Sequence, residues 1–107
     1  MKFQNFKILK CYADTRNKNS LNCTINNNSQ ITININCMLF YVCSANSGGN
    51  NTTATITKNG SSIGSNSNGS SWGTRVMTGI VPCSSGDVLK INWSSTSGEI
   101  LFSVIGF

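Results

Sequence analysis

The chain has 107 residues, a net charge of +5 and only 10% charged side chains, against roughly 25% in an ordinary soluble domain. Neutral polar residues carry the solvation instead: 16 Asn, 16 Ser and 10 Thr, alongside 11 Ile but only 3 Ala, 5 Leu and 1 Glu. Short polar side chains compete for backbone hydrogen bonds and β-branched ones favour strands, which excludes a helical bundle, a coiled coil and a membrane-spanning helix and leaves one all-β domain.

In chain order, the first element is basic. Lys2, Lys7, Lys10, Arg16 and Lys18 precede residue 20 with only Asp14 against them, and Phe3, Phe6, Ile8, Leu9 and Tyr12 interleave. Residues 1–20 read as an attachment arm for an acidic partner, with Lys2, Phe3, Phe6, Lys7 and Lys10 as its contacts; the plainer reading is a solubilising arm. No apolar stretch of signal-peptide length follows it. Leu21, Cys23 and Ile25 alternate with polar residues, the pattern of a half-buried strand. Asn26 to Ser29 make a turn, and Ile31, Ile33 and Ile35 then alternate with Thr32, Asn34 and Asn36. From Cys37 both faces are apolar, so residues 31–42 read as one strand running from a wet margin to a covered centre.

A polar loop at 44–52 leads to a strand at 53–58. Asn59-Gly60 predicts a type I′ hairpin, since both central positions need positive φ. Residues 61–71 read as a second polar loop, 72–81 as a strand, 82–86 as a turn capped by Asp87, and 88–93 as a strand. A turn at 94–98 precedes the last strand, 99–107, where Leu101, Ile105 and Phe107 fall on one face and Ile100, Phe102 and Val104 on the other. Seven or eight strands at this spacing predict an antiparallel β-sandwich or barrel over residues 21–107.

Catalytic chemistry has little to build on. There is no His, and the three carboxylates, Asp14, Asp87 and Glu99, are far apart in sequence. No nucleophile elbow, phosphate loop or dinucleotide fingerprint occurs, so no catalytic residue and no cofactor is expected. The five cysteines form no Cys-x-x-Cys pair, and without His a metal site is not expected. Cys37 and Cys43 share a strand face about 20 Å apart, beyond the roughly 7 Å that a disulfide tolerates. Buried free thiols in a protein made in a reducing cytoplasm are the expectation. The Asn-x-Ser/Thr triplets follow from composition and imply no glycosylation. Nucleic-acid binding is disfavoured, because the body lacks positive charge and exposed strand aromatics.

The order of four segments is informative: Cys37-Met-Leu-Phe-Tyr-Val42, Asn59-Gly-Ser-Ser-Ile-Gly64, Ser85-Gly-Asp-Val-Leu-Lys-Ile91 and the closing Glu99-Ile-Leu-Phe-Ser-Val-Ile-Gly-Phe107. Over 21–107 it resembles the compact jelly-roll knobs of bacteriophage head and tail fibres, which are similar to the trimeric tumour-necrosis-factor and C1q fold. The chain departs from that pattern where Cys37-Met38 replaces the usual glycine, and its first twenty residues hold no shaft repeat. The resemblance implies a jelly-roll homotrimer that is a non-enzymatic virion structural protein, a short head fibre or capsid decoration made in the host bacterial cytoplasm and anchored by its N-terminal arm. A two-sided apolar last strand suits a threefold axis, and Ile100, Phe102 and Val104 are the expected axial set. The alternative is a receptor- or glycan-binding fibre tip, with Asn50, Asn51 and Trp72 as its ligand loop.

Overall fold

A computed structural model describes residues 9–47, 52–68, 73–93 and 99–107. Among these, ten strands form the fold: β1 (Cys11–Asp14), β2 (Asn19–Leu21), β3 (Cys23–Asn27), β4 (Gln30–Ile33), β5 (Cys37–Ser47), β6 (Thr52–Lys58), β7 (Ser61–Asn68), β8 (Gly73–Cys83), β9 (Val88–Trp93) and β10 (Glu99–Gly106). They make two five-stranded sheets of order β2-β1-β10-β5-β8 and β3-β4-β9-β6-β7. Every pairing is antiparallel, and most neighbours are distant in sequence, so the chain crosses repeatedly between layers. The molecule is an all-β, two-sheet antiparallel sandwich.

Period-two alternation places the core between the sheets. Leu39, Tyr41, Cys43 and Ala45 of β5 and Phe102 and Val104 of β10 line one side. Ile31 and Ile33 of β4, Ala54 and Ile56 of β6, and Leu89 and Ile91 of β9 line the other. Tyr41 spans the gap: it pairs with Gly79, lies over that residue's bare backbone, and donates its hydroxyl to the Ile63 carbonyl at 3.3 Å.

The Asn59-Gly60 turn has φ of 52° and 87°, both in the region that the sequence predicts. Asp87 caps the turn before β9 by accepting the Ser84 N–H at 2.8 Å, and also accepts Asn59 Nδ2 at 2.9 Å. Asn59 Oδ1 in turn accepts the Val88 N–H at 2.9 Å, so the β6–β7 hairpin and the β8–β9 turn are bolted together. Pro82 sits in β8, an edge strand, where a missing N–H donor is tolerated.

Three expectations are corrected. Residues 31–42 are two strands in different sheets, β4 and β5, separated at 34–36, and the gain of a second apolar face marks the change of sheet. The polar stretch from residue 61 is strand β7, which the β6 ladder holds at a sheet edge although it has almost no apolar side chains. The division at residue 20 fails: β1 pairs with β10 in register Cys11↔Gly106, and Cys11 and Ala13 are buried in the core. From residue 9 the expected arm belongs to the sandwich. Of its named contacts only Lys10 is described, exposed beside β1; Lys2, Phe3, Phe6 and Lys7 lie outside the described residues.

Candidate functional site

Directly paired residues of an antiparallel sheet point to the same side, so the register shows what each outer face presents. One row crosses the whole first sheet: Leu21, Tyr12, Ile105, Phe40 and Ile80 are consecutive cross-strand partners on β2, β1, β10, β5 and β8. Four strand spacings make this row about 19 Å long. Flanking it on one side are Phe107 and Met38, joined by reciprocal backbone hydrogen bonds of 2.8 and 2.9 Å, with Pro82 beyond. On the other side come the rows Ser103, Val42, Thr78 and Leu101, Ser44, Val76.

Ile80 is 67% exposed, Met38 and Val76 51%, and Phe40 at the sheet centre 36%. Every large apolar side chain that is strongly exposed among the described residues belongs to this sheet or to the Phe107 terminus beside it. The outer face of the second sheet is built otherwise: Thr24, Thr32, Thr55, Ser65, Lys90 and Asn92 dominate it, with Val88 as its apolar member. A monomer in water gains nothing from such asymmetry, and contiguous apolar patches of this kind mark interaction surfaces.

The last strand therefore contributes the set opposite to the expected one. Phe102 and Val104 are 1% and 2% exposed and lie inside the sandwich, with Ile100 packed against the same core. They are committed to the inter-sheet core because Phe102 pairs with Cys43 and Val104 with Tyr41, both inward residues of β5. Leu101, Ile105 and Phe107 face outward. Of the expected ligand loop, Asn50, Asn51 and Trp72 lie outside the described residues.

The five cysteines are all free and buried. Burial pushes the Cys43 thiol up to about 12 and those of Cys11, Cys37 and Cys83 up to about 11. Such thiols stay protonated at neutral pH and behave as small hydrophobes, not nucleophiles. Cys11 and Cys37 approach to 3.7 Å between sulfurs across β10, where Gly106 leaves the space that a side chain would take. Nothing in the sequence pattern announces this meeting, since the two residues are brought together only by the β1-β10-β5 strand order.

No family model matches the chain, and no curated protein matches it. Solved structures do. The bushbaby GITRL crystal structure superposes with a TM-score of 0.66 at 8% identity, covering 94% of this chain and 95% of that one. Pika GITRL gives 0.70 at 13% identity, covering 91% and 96%. Murine APRIL at pH 8.5 gives 0.70 at 5% identity, covering 84% and 79%. The fold is the tumour-necrosis-factor-like jelly roll. Within this jelly roll the apolar face belongs to the sheet that carries both described ends of the chain: the Lys10 N–H donates to the Gly106 carbonyl at 2.7 Å.

Proposed function

We propose that this chain is a non-enzymatic homotrimeric knob of a bacteriophage virion, a short head fibre or capsid decoration. The observation that carries the trimer is the apolar outer face of one sheet, set against the polar outer face of the other. Three copies around an axis cover that face in a closed assembly, with each Å² of apolar surface removed from water contributing about 25 cal/mol. The low-identity likeness to jelly rolls supports the same geometry.

The virion setting rests on the order of the four segments that resemble phage knobs. The positions of the chain ends support one direction of attachment. Lys10 and Phe107 lie at one end of the sandwich, so that end, with the basic residues Lys2 and Lys7 preceding it in sequence, is the one we assign to an acidic partner. The ends of β5, β7 and β9 and the starts of β6, β8 and β10 gather at the other, outward end.

Native mass spectrometry tests the assembly: three times the 11.5 kDa subunit mass is expected, and a monomer at micromolar concentration overturns it. Immunogold labelling of purified phage particles tests the setting. Particles without label remove the virion assignment and leave the trimer standing.

A further inference from the structure

A cleft of about 620 Å³ with a mixed polar and apolar lining opens beside the β1–β2 turn, between that turn and the β3–β4 hairpin. Lys18, Ser20, Ile25 and Asn28 line it, and Thr15 belongs to its wall. A smaller cleft of about 300 Å³ adjoins it, shares Thr15, Lys18 and Asn28, and brings in Arg16 and Glu99. The volume of the first is that of an ordinary small-ligand pocket.

Thr15 is the informative residue. It is 2% exposed, its N–H donates to the Phe102 carbonyl at 3.0 Å, and its Oγ1 is buried without a hydrogen-bond partner. A buried hydroxyl with no partner is uncommon and calls for a reason. Rotation about χ1 moves that oxygen between staggered positions, so a ligand in the cleft can recruit it. Lys18 stands beside it with φ of 59°, a strained conformation for a residue that is not glycine. Lys18 is the one charged side chain lining the larger cleft, and it makes no ion pair among the described residues. Asp14 is occupied within the turn, accepting the Arg16 N–H at 3.0 Å and Asn17 Nδ2 at 2.9 Å.

We infer that this cleft binds a sugar that carries one carboxylate. Lys18 matches the single negative charge, Thr15, Ser20 and Asn28 match the ring hydroxyls, and Ile25 matches a C–H face. Among the described residues the larger cleft is lined by no aromatic ring on which a base could stack, and its hydroxyl, amide and ammonium groups interrupt the continuous apolar surface that an acyl chain needs. It is also larger than a bare inorganic anion requires. The site lies within one subunit, so it stands whether or not the chain forms trimers, and its argument uses none of Asn50, Asn51 and Trp72.

The test is an NMR titration of the ¹⁵N-labelled chain with glucuronate, glucose and acetate. Glucuronate is expected to shift the Thr15, Lys18 and Asn28 amides and to bind about tenfold tighter than glucose, the factor that one charge-assisted hydrogen bond supplies. Acetate is expected to leave those amides unmoved. Lys18→Gln should weaken glucuronate binding about tenfold and leave glucose binding unchanged. Thr15→Val should weaken both sugars with the fold intact by circular dichroism, and Thr15→Ser should restore them. Equal binding of acetate and glucuronate, equal binding of the two sugars, no shift with any probe, or wild-type affinity in Thr15→Val each overturns the inference.

Discussion

Tyr41 crosses the sandwich only because Gly79, its cross-strand partner, has no side chain under the ring. A Cβ at residue 79 would lie 2.5 Å from the Tyr41 hydroxyl oxygen and 2.7 Å from Cζ. Gly79→Ala must therefore push a buried ring off its position and break its bond to Ile63, and overpacking of this kind costs typically 1–3 kcal/mol. A urea midpoint that falls accordingly is the expected outcome; an unchanged midpoint would mean that the ring moves aside freely. Thr15 is the opposite case, a residue whose polar group weakens the fold. Replacing its unpartnered hydroxyl by a methyl group in Thr15→Val removes a desolvation penalty of about 1 kcal/mol or more, so the variant should be more stable by a similar amount in the same urea measurement. These residues also mark what can be read locally. The Asn59-Gly60 turn and the Asp87 cap are legible because their chemistry is carried by two to four adjacent residues. The Tyr41–Gly79 fit is not, because the partners are far apart in sequence and meet only through register.

At the scale of elements, period-two alternation marks most of the strands but not the sheets to which they belong. Ile31, Ile33, Ile35, Cys37, Leu39 and Tyr41 keep one parity across the break at 34–36, so nothing in the alternation marks the step between layers. The visible trace is the second apolar face that begins at Met38, because only the sheet containing β5 has an apolar exterior. Strand β7 lacks alternation altogether and is held by its ladder with β6. Strand β1 was hidden by its charged surroundings and by small inward residues, Cys11 and Ala13. Its core role makes a prediction. Deleting residues 1–8 should leave the sandwich folded, whereas deleting 1–16 removes β1, uncovers the edge of β10 and should abolish the cooperative thermal transition. A folded 17–107 fragment would return β1 to the arm.

The tie between the β6–β7 hairpin and the β8–β9 turn is also pH-sensitive. The Ser84 N–H and the Asn59 amide, with Lys58 at 4.0 Å, hold the Asp87 carboxyl below its ordinary 3.8. The folded state thus favours the ionised form, and the stabilisation is complete above the unfolded-state value and lost as pH falls through the lower, folded one. Thermal midpoints should be level above about pH 5 and decline below pH 4 in the wild type. Asp87→Asn should melt lower at pH 7 and lose part of that acid decline. A variant with the wild-type slope would show that the cap contributes nothing to acid stability.

For the whole molecule, the question is which apolar surface meets water and which meets another copy. Strand β10 is apolar on both faces, so its own sequence could not assign them; pairing with β1 and β5 does, sending Phe102 inward and Ile105 outward. Two carboxylate substitutions then separate core from interface. Phe102→Asp puts a charge into the sandwich, where truncation of a buried Phe alone costs about 3–5 kcal/mol, and should leave an unfolded chain. Phe40→Asp places its carboxylate at the centre of the exposed apolar face, where a monomer keeps it hydrated and loses little. In a trimer three such groups would be desolvated together and repel one another. The expected result is a folded monomer with wild-type far-ultraviolet circular dichroism. Its thermal midpoint should no longer rise with protein concentration, as that of an associating wild type does by mass action. If Phe40→Asp keeps the wild-type native mass, the face is not where copies meet; if it unfolds as Phe102→Asp does, Phe40 belongs to the core.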